Sequence, residues 1–494
     1  MGGPAFGPLT SGPAGALDRR VELAPPPPVL FNSPEFVAFF VLVFGAYWAL
    51  ARWEAARVWL LLIASYVFYG AWDARFLVLM GFSTLLDYGL ALWIERARSP
   101  GRRRLLMGLS LAANLGLLGF FKYCNFFIEQ ARSLLRAFGA SGDLSSLDVI
   151  LPVGISFYTF QTLSYTLDVY RGQLRAERSL PRFALFVAFF PQLVAGPIVR
   201  ASDFLPQIPR APRLTAAAFE SGLALIAWGL FKKVVIADLL GTEVVDPLWS
   251  RPEQFGGLAT LLGIYAYALQ IYGDFSGYSD CAIGVSRLLG FELCENFDAP
   301  YRACSPRDFW RRWHISLSTW LRDYLYISLG GNRDGTWRTY RNLILTMLLG
   351  GLWHGASWMF VIWGAYHGLL LVLDRLVDFK FVDGDRPGVW LRRLVMFQFT
   401  CLGWVLFRSL TLEDAGAVLG SLTAARGEFQ FGPFVLLAMA VAFLTQLLPT
   451  PRRLALESWF QSWPPLLRGS AYALGLGLLL TAGSGARPFI YFQF

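Results

Sequence analysis

The sequence predicts an all-α, polytopic membrane protein of about ten to twelve transmembrane or re-entrant helices. Three observations lead there. Hydrophobic residues make up 55% of the 494-residue chain and aromatic residues 16%, while only 16% are charged, against about a quarter in soluble domains. The apolar residues gather in repeated runs near membrane-spanning length, such as Phe36 to Trp53, Val58 to Trp72, Phe76 to Ile94 and Phe183 to Val199. The arginines behind the net charge of +9 lie in short loops between those runs, so the charge reads as membrane orientation and not as a nucleic-acid surface.

The first 34 residues are rich in Pro and Gly, include the Pro25 to Pro28 run and have no apolar centre. They read as a loose tail, neither helix nor signal peptide, ahead of a single domain over 35–494. Two loops, one with Arg96, Arg98, Arg102, Arg103 and Arg104 and one with Arg171, Arg175, Arg178 and Arg182, are expected on the cytoplasmic side, which puts the amino terminus outside. No internal repeat is visible, so an inverted-repeat transporter is not suggested. The five cysteines (Cys124, Cys281, Cys294, Cys304, Cys401) form no CxxC pair, which supports neither a metal site nor a disulfide framework.

Polar residues enter the apolar background between about Leu151 and Leu370. The run Tyr272-Gly-Asp-Phe-Ser-Gly-Tyr-Ser-Asp280 brings Asp274, Ser276 and Asp280 into an apolar stretch, where a carboxylate needs a partner or a water-filled cavity. Asp274 and Ser276 are candidate substrate contacts; a structural ion pair with an arginine such as Arg287 is the commoner alternative. Over Arg307 to Asp323, the spacing of Phe309, Trp313 and Trp320 predicts one face of an interfacial or re-entrant helix. His314 and Ser318 lie one turn apart on it. Arg311 and Arg312 are candidate phosphate contacts for a donor, with anionic lipid the alternative. The loop Leu329-Gly-Gly-Asn-Arg333, with Asn332, could admit a phosphate to its backbone amides, or be a plain turn.

The sharpest feature is Gly350-Gly-Leu-Trp-His-Gly-Ala-Ser-Trp358, an imidazole in an apolar run flanked by glycines and tryptophans. Such an imidazole can deprotonate a hydroxyl near neutral pH; a buried structural histidine is the alternative, and the stretch alone does not choose. The three histidines, His314, His354 and His367, all lie in this quarter of the chain. On an unbroken helix, the step from His354 to His367 turns by roughly 220°, which makes His314 the better partner for His354.

These residues also resemble a known family, the membrane-bound O-acyltransferases, in the bacterial branch typified by alginate O-acetyltransferase. The likeness runs from about Val58 to Leu370 and rests on Asn114-Leu-Gly-Leu-Leu-Gly-Phe-Phe-Lys-Tyr-Cys-Asn-Phe-Phe127, Leu151-Pro-Val-Gly-Ile-Ser-Phe-Tyr-Thr-Phe-Gln161, Phe190-Pro-Gln-Leu-Val-Ala-Gly-Pro197, the Asp274 to Asp280 run, Trp310-Arg-Arg-Trp-His-Ile-Ser-Leu-Ser318 and Leu352-Trp-His-Gly-Ala356, with Pro488-Phe-Ile-Tyr-Phe-Gln-Phe494 at the close. Ser328 departs from the proline the branch often has before Leu-Gly-Gly-Asn-Arg.

The resemblance implies a many-helix fold around a transmembrane tunnel, with His354 at its narrowest part and His314 as the second catalytic position. It implies a multi-pass protein of the bacterial inner membrane that moves an acyl group, acetyl above all, from a cytoplasmic thioester (acetyl-CoA or an acyl carrier) towards an extracellular polysaccharide such as alginate. A periplasmic acetyltransferase partner is implied too; no bound cofactor, metal or nucleic acid is. D-alanyl transfer to teichoic acid on the same fold and solute transport are the alternatives. Without a Gly-x-Ser-x-Gly elbow, a soluble-hydrolase mechanism has no support.

Overall fold

The computed structural model describes residues 31–139, 144–147, 149–193, 196–377, 386–447, 458–482 and 489. Among them the regular elements are all helical. The amino-terminal group is α1 (Pro34–Ala49), α2 (Glu54–Asp73), α3 (Phe76–Arg96), α4 (Pro100–Ala137), α5 (Ile155–Tyr170) and the short α6 (Leu180–Ala188). The centre holds α7 (Ala216–Leu230), α8 (Gly257–Leu288), α9 (Pro306–Arg312), α10 (Ile315–Trp320), α11 (Thr336–His354) and α12 (Trp358–Val377). Then follow α13 (Pro387–Arg408), α14 (Leu412–Gly420), α15 (Pro433–Leu447) and α16 (Pro465–Ala482).

Five of these, α2, α3, α4, α12 and α13, are long and apolar enough to cross a membrane, and α1 and α15 are apolar but shorter. They turn large apolar side chains outward, Leu42 at 73% exposure and Val78 at 72% among them, as lipid-facing helices do. The run Phe183 to Val199 departs from the expected span. It breaks at Phe189, where the backbone leaves helical geometry, and Pro191 begins a new short turn. Phe183, Phe186, Phe189 and Phe190 are fully buried. This run is apolar because it is core, not because it meets lipid.

Phe31 and Phe489, from opposite ends of the sequence, pack on α8. Phe31, inside the segment expected to be loose, packs on Phe36 and Tyr278 at ring distances of 4.7 and 4.5 Å, and the Ser33 hydroxyl accepts the Phe36 amide at the start of α1. Phe489 lies 5.2 Å from the same Tyr278 ring; the rest of the closing Pro488 to Phe494 motif lies outside the described residues. The two arginine-rich loops meet on one face: Arg178 pairs with Glu95, and Arg103 donates to the Tyr170 carbonyl at 2.5 Å.

Inside, polar clusters and glycines decide which helices meet. Asp87 of α3 is fully buried and accepts the Ser110 hydroxyl at 2.5 Å and the Asn114 amide at 2.8 Å from α4; the Asn114 carbonyl in turn accepts Ser83 at 2.6 Å and Thr162 of α5 at 3.4 Å. Hydrogen bonds of this kind tie helices where apolar burial alone does not distinguish lipid from protein. At the α7–α8 crossing, a Cβ on Gly277 would stand 2.6 Å from the Gly229 carbonyl and one on Gly284 2.6 Å from the Gly222 carbonyl. Only glycine lets those backbones touch.

That crossing gives the first prediction. Gly277→Val forces the helices apart and should cost about 1–3 kcal/mol, the scale of overpacking, read as a lower unfolding midpoint in detergent. Gly116→Ala, where an added Cβ meets nothing within 4 Å, should leave the midpoint unchanged. Equal midpoints for the two variants would contradict the close crossing.

Candidate active site

The polypeptide of α11 stops at His354. Gly355 is extended, with φ −166° and ψ 156°, and a Cβ there would strike the Phe360 ring. The next helix starts only at Trp358. The hairpin is drawn tight by Gly351, whose Cβ would collide with the Phe360 carbonyl, and by Gly364, whose Cβ would meet the Met347 carbonyl. At this turn the His354 ring is 5% exposed and lies edge-on to Trp353, Trp363 and Phe407 at 5.1, 5.1 and 5.2 Å.

The break removes the basis for placing His367 by helical phase, since no single helix carries both residues. His367 lies 4.7 Å from the Trp363 ring, so that indole contacts both imidazoles. On the other flank, the Trp353 ring is 5.9 Å from His314. His314 and His354 thus both lie against the Trp353 indole, and His367 against Trp363.

The predicted helix over Arg307 to Asp323 is two helices. α9 ends at Arg312, His314 adopts left-handed φ 43° and ψ 55°, and α10 begins at Ile315. Phe309 and Trp313 remain stacked at 5.8 Å, but Trp320 turns away to stack on Phe160 at 3.8 Å. A left-handed residue with a side chain costs about 1–2 kcal/mol and persists only where its neighbours hold it. Asn296 does so: its carbonyl takes the Ile315 amide at 2.9 Å, and its Oδ1 takes the Ser316 amide at 3.2 Å and the Ser316 hydroxyl at 2.8 Å.

Those bonds also assign the His314 tautomer. The Asn296 atom that accepts a backbone amide must be oxygen, so the His314 Nδ1 that lies 3.2 Å from it carries the proton. The lone pair is then on Nε2, a buried atom with no hydrogen-bond partner among the described residues. Around the ring are Phe275 at 4.6 Å, Trp353 and, at 6.5 Å, Phe157. Asn296 escaped sequence reasoning because an asparagine in Cys294 to Asp298 has no periodicity or motif to mark it.

The remaining candidates are placed apart from this chamber. Asp274 pairs with Lys233 at 2.6 Å and Asp280 with Lys232 at 2.7 Å, while Ser276 accepts Lys232 at 2.8 Å. The partners are lysines on the widened helical stretch Phe231–Asp238 that continues α7; Arg287, the partner expected, pairs instead with Glu292 at 3.0 Å. The spacing of α8 and the glycine crossing bring those lysines in, and neither can be seen in the α8 segment alone. Arg312 is held by Asp308 at 2.8 Å and Asp298 at 3.3 Å, so its guanidinium braces the turn before His314. Arg311 and Asn332 are exposed.

A file of rings joins the chamber to the arginine face. Trp353 lies 5.5 Å from Phe160, Phe160 stacks on Trp320, Trp320 lies 5.2 Å from Tyr324, and Arg200 and Arg171 stand 5.1 and 5.3 Å from the Tyr324 ring. Arg200 and Arg322 both pair with Asp323 at 2.6 Å. Burial works against that carboxylate, but hydrogen bonds from Arg322 and Arg200 prevail and hold it below the usual carboxylate range.

Comparison with known proteins adds the following. Residues 173–407 match the model of the membrane-bound O-acyltransferase family. The chain is 43% identical to a probable alginate O-acetylase of Pseudomonas putida, over 85% of this chain and 84% of that one. It is 38% identical to a peptidoglycan O-acetyltransferase of Helicobacter pylori, over 81% and 80%, and 30% identical to a teichoic acid D-alanyltransferase of Bacillus subtilis, over 52% and 68%.

The ion pairs yield a stability prediction. Asp274→Ala leaves the Lys233 ammonium with Asp238 as its carboxylate partner, at 2.7 Å, and should destabilise the protein by about 1.5–3 kcal/mol, the scale of one hydrogen bond to a charged group. Lys233→Met also takes the ammonium away from Asp238, so in detergent unfolding the double variant should lose stability, but by less than the sum of the two single losses. A double variant whose loss equals the sum of the two single losses would show the pair to be uncoupled.

Proposed function

Because the chain belongs to the membrane-bound O-acyltransferase family, we propose that His354 is the general base with which it moves acetyl groups from a cytoplasmic thioester to a hydroxyl, for O-acetylation of an exported polysaccharide. The observation that carries this is the chamber itself: two imidazoles on either side of the Trp353 indole, at a broken helix end and out of bulk water.

In that chamber the His354 imidazole takes the proton of the acceptor hydroxyl as its oxygen attacks the thioester carbonyl carbon. The carbon–sulfur bond breaks, the ester forms, and the proton passes to the departing thiolate. One base in a dry, narrow site is sufficient for this. His314, whose Nε2 holds a lone pair in the same chamber, is the second catalytic group and can orient the donor by accepting a hydrogen bond from one of its amide N–H groups. The donor approaches from the arginine face, where Arg200 and Arg322 pair with the Asp323 carboxylate and Arg171 donates to the Asp323 backbone carbonyl; this cluster of guanidinium groups matches the phosphates of acetyl-CoA or a carrier's phosphopantetheine. Arg312, held between Asp308 and Asp298, braces the turn before His314; exposed Arg311 and Asn332 remain available to the donor.

Acetyl transfer to polysaccharide is favoured over D-alanyl transfer because the O-acetyl-transferring relatives match more of this chain at higher identity. The final acceptor is reached through a periplasmic acetyltransferase partner, and the protein resides in the bacterial inner membrane.

His354→Gln keeps most of the volume but cannot accept the proton. At matched membrane abundance it should lower the acetyl-ester content of the exported polymer by about a hundredfold or more, the scale of a positioned base, and His314→Gln should lower it by about tenfold or more. Near-normal acetylation by His354→Gln would make this histidine structural and return weight to transport. Incorporation of labelled alanine in place of acetate would redirect the donor to D-alanyl thioester.

A further inference from the structure

The abrupt end of α11 leaves the carbonyls of its last turn without intrahelical partners, in an interior with no water to take them. Three of them are met by two consecutive residues of α4. Lys122 Nζ donates to the carbonyls of Trp353 and His354, the latter at 3.2 Å, and to Ser156 Oγ of α5 at 3.4 Å. The Tyr123 hydroxyl donates to the Leu352 carbonyl at 2.6 Å. The Lys122 ammonium also stands 5.8 Å from the Trp353 ring centre.

Local geometry makes this double grip available. Neighbouring residues on a regular helix point about 100° apart, but α4 widens into a π-helical turn at Gly119–Tyr123. Such turns are rare and recur at functional sites. A positive charge at the carbonyl end of a helix is also the electrostatically favoured arrangement. The ammonium has three protons and these three acceptors, so its hydrogen bonding is directed at the scaffold of the site and not at an acyl oxyanion.

We propose that Lys122, aided by Tyr123, is the positioning residue for His354: it fixes the last turn of α11 and with it the direction of the imidazole. This inference rests on the assignment of His354 as the base. It gives the Phe-Phe-Lys-Tyr segment of α4 a role in the transfer step through the backbone of α11.

The test uses the full-length protein in cells, with acetyl ester per sugar of the exported polymer read at matched membrane abundance, and the unfolding midpoint of the purified protein alongside. Lys122→Met should lower acetylation about 10- to 100-fold, as displacement of a reacting group by about an ångström does, in protein that stays folded at the assay temperature although the unpaired carbonyls lower its midpoint. Lys122→Arg should restore activity to within a few-fold, and Tyr123→Phe should cause a smaller loss than Lys122→Met. Added to His354→Gln, Lys122→Met should produce no further loss, because both act through one imidazole. Full activity of Lys122→Met, a Lys122→Arg variant as inactive as Lys122→Met, or a multiplied loss in the double variant would overturn the proposal. If His354→Gln alone stays active, the assignment of the base fails; if His354→Gln is inactive and Lys122→Met is active, only the role of Lys122 fails.

Discussion

The structure around His354 depends on ending a helix inside an apolar interior. A helix that stops there exposes carbonyls at a cost of about 1–3 kcal/mol for each buried group left unsatisfied, so the break can exist only if other elements supply donors. α4 supplies them through Lys122 and Tyr123, and the glycines at 351, 355 and 364 bring α12 close enough to close the turn. The imidazole is then left at the point where backbone and aromatic rings converge, with no covering segment needed to shield it from water.

The rest of the interior follows a similar rule, in which helices are brought together by polar pairing and by missing side chains more than by apolar surface. Asp87 with Ser110 and Asn114 joins α3 to α4. Lys232 and Lys233 with Asp280 and Asp274 join the continuation of α7 to α8, over the contact that Gly229 and Gly277 permit. On the far side of α8, Phe275 presses its ring against His314. Asp274 and Phe275, adjacent in sequence, thus serve different purposes: one anchors the helix and the other shapes the chamber.

What the sequence made legible was local. The lipid-like composition and the glycine-flanked His354 could be read from short windows, because each depends on residue type and near neighbours. The run at Phe183 to Val199 could not be told from a span, since a fully buried segment and a lipid-facing one have the same composition. The left-handed turn at His314 was hidden for a different reason: the stretch has helical periodicity on both sides, and Asn296, the residue that holds the turn, lies eighteen positions upstream. Lys232 and Lys233 as partners of the α8 carboxylates, and Lys122 as partner of α11, are tertiary pairings that no spacing rule encodes.

The central claim is that acyl transfer takes place beside His354. It is tested most directly by an experimental structure of the protein with an unreactive acetyl thioether analogue of coenzyme A. The account predicts the analogue's carbonyl within hydrogen-bonding reach of the His354 imidazole, its chain along Phe160, Trp320 and Tyr324, and its phosphates against Arg171, Arg200 and Arg322. An analogue bound with its carbonyl elsewhere, such as the cavity lined by Lys233, Gly277 and Phe489, would contradict it.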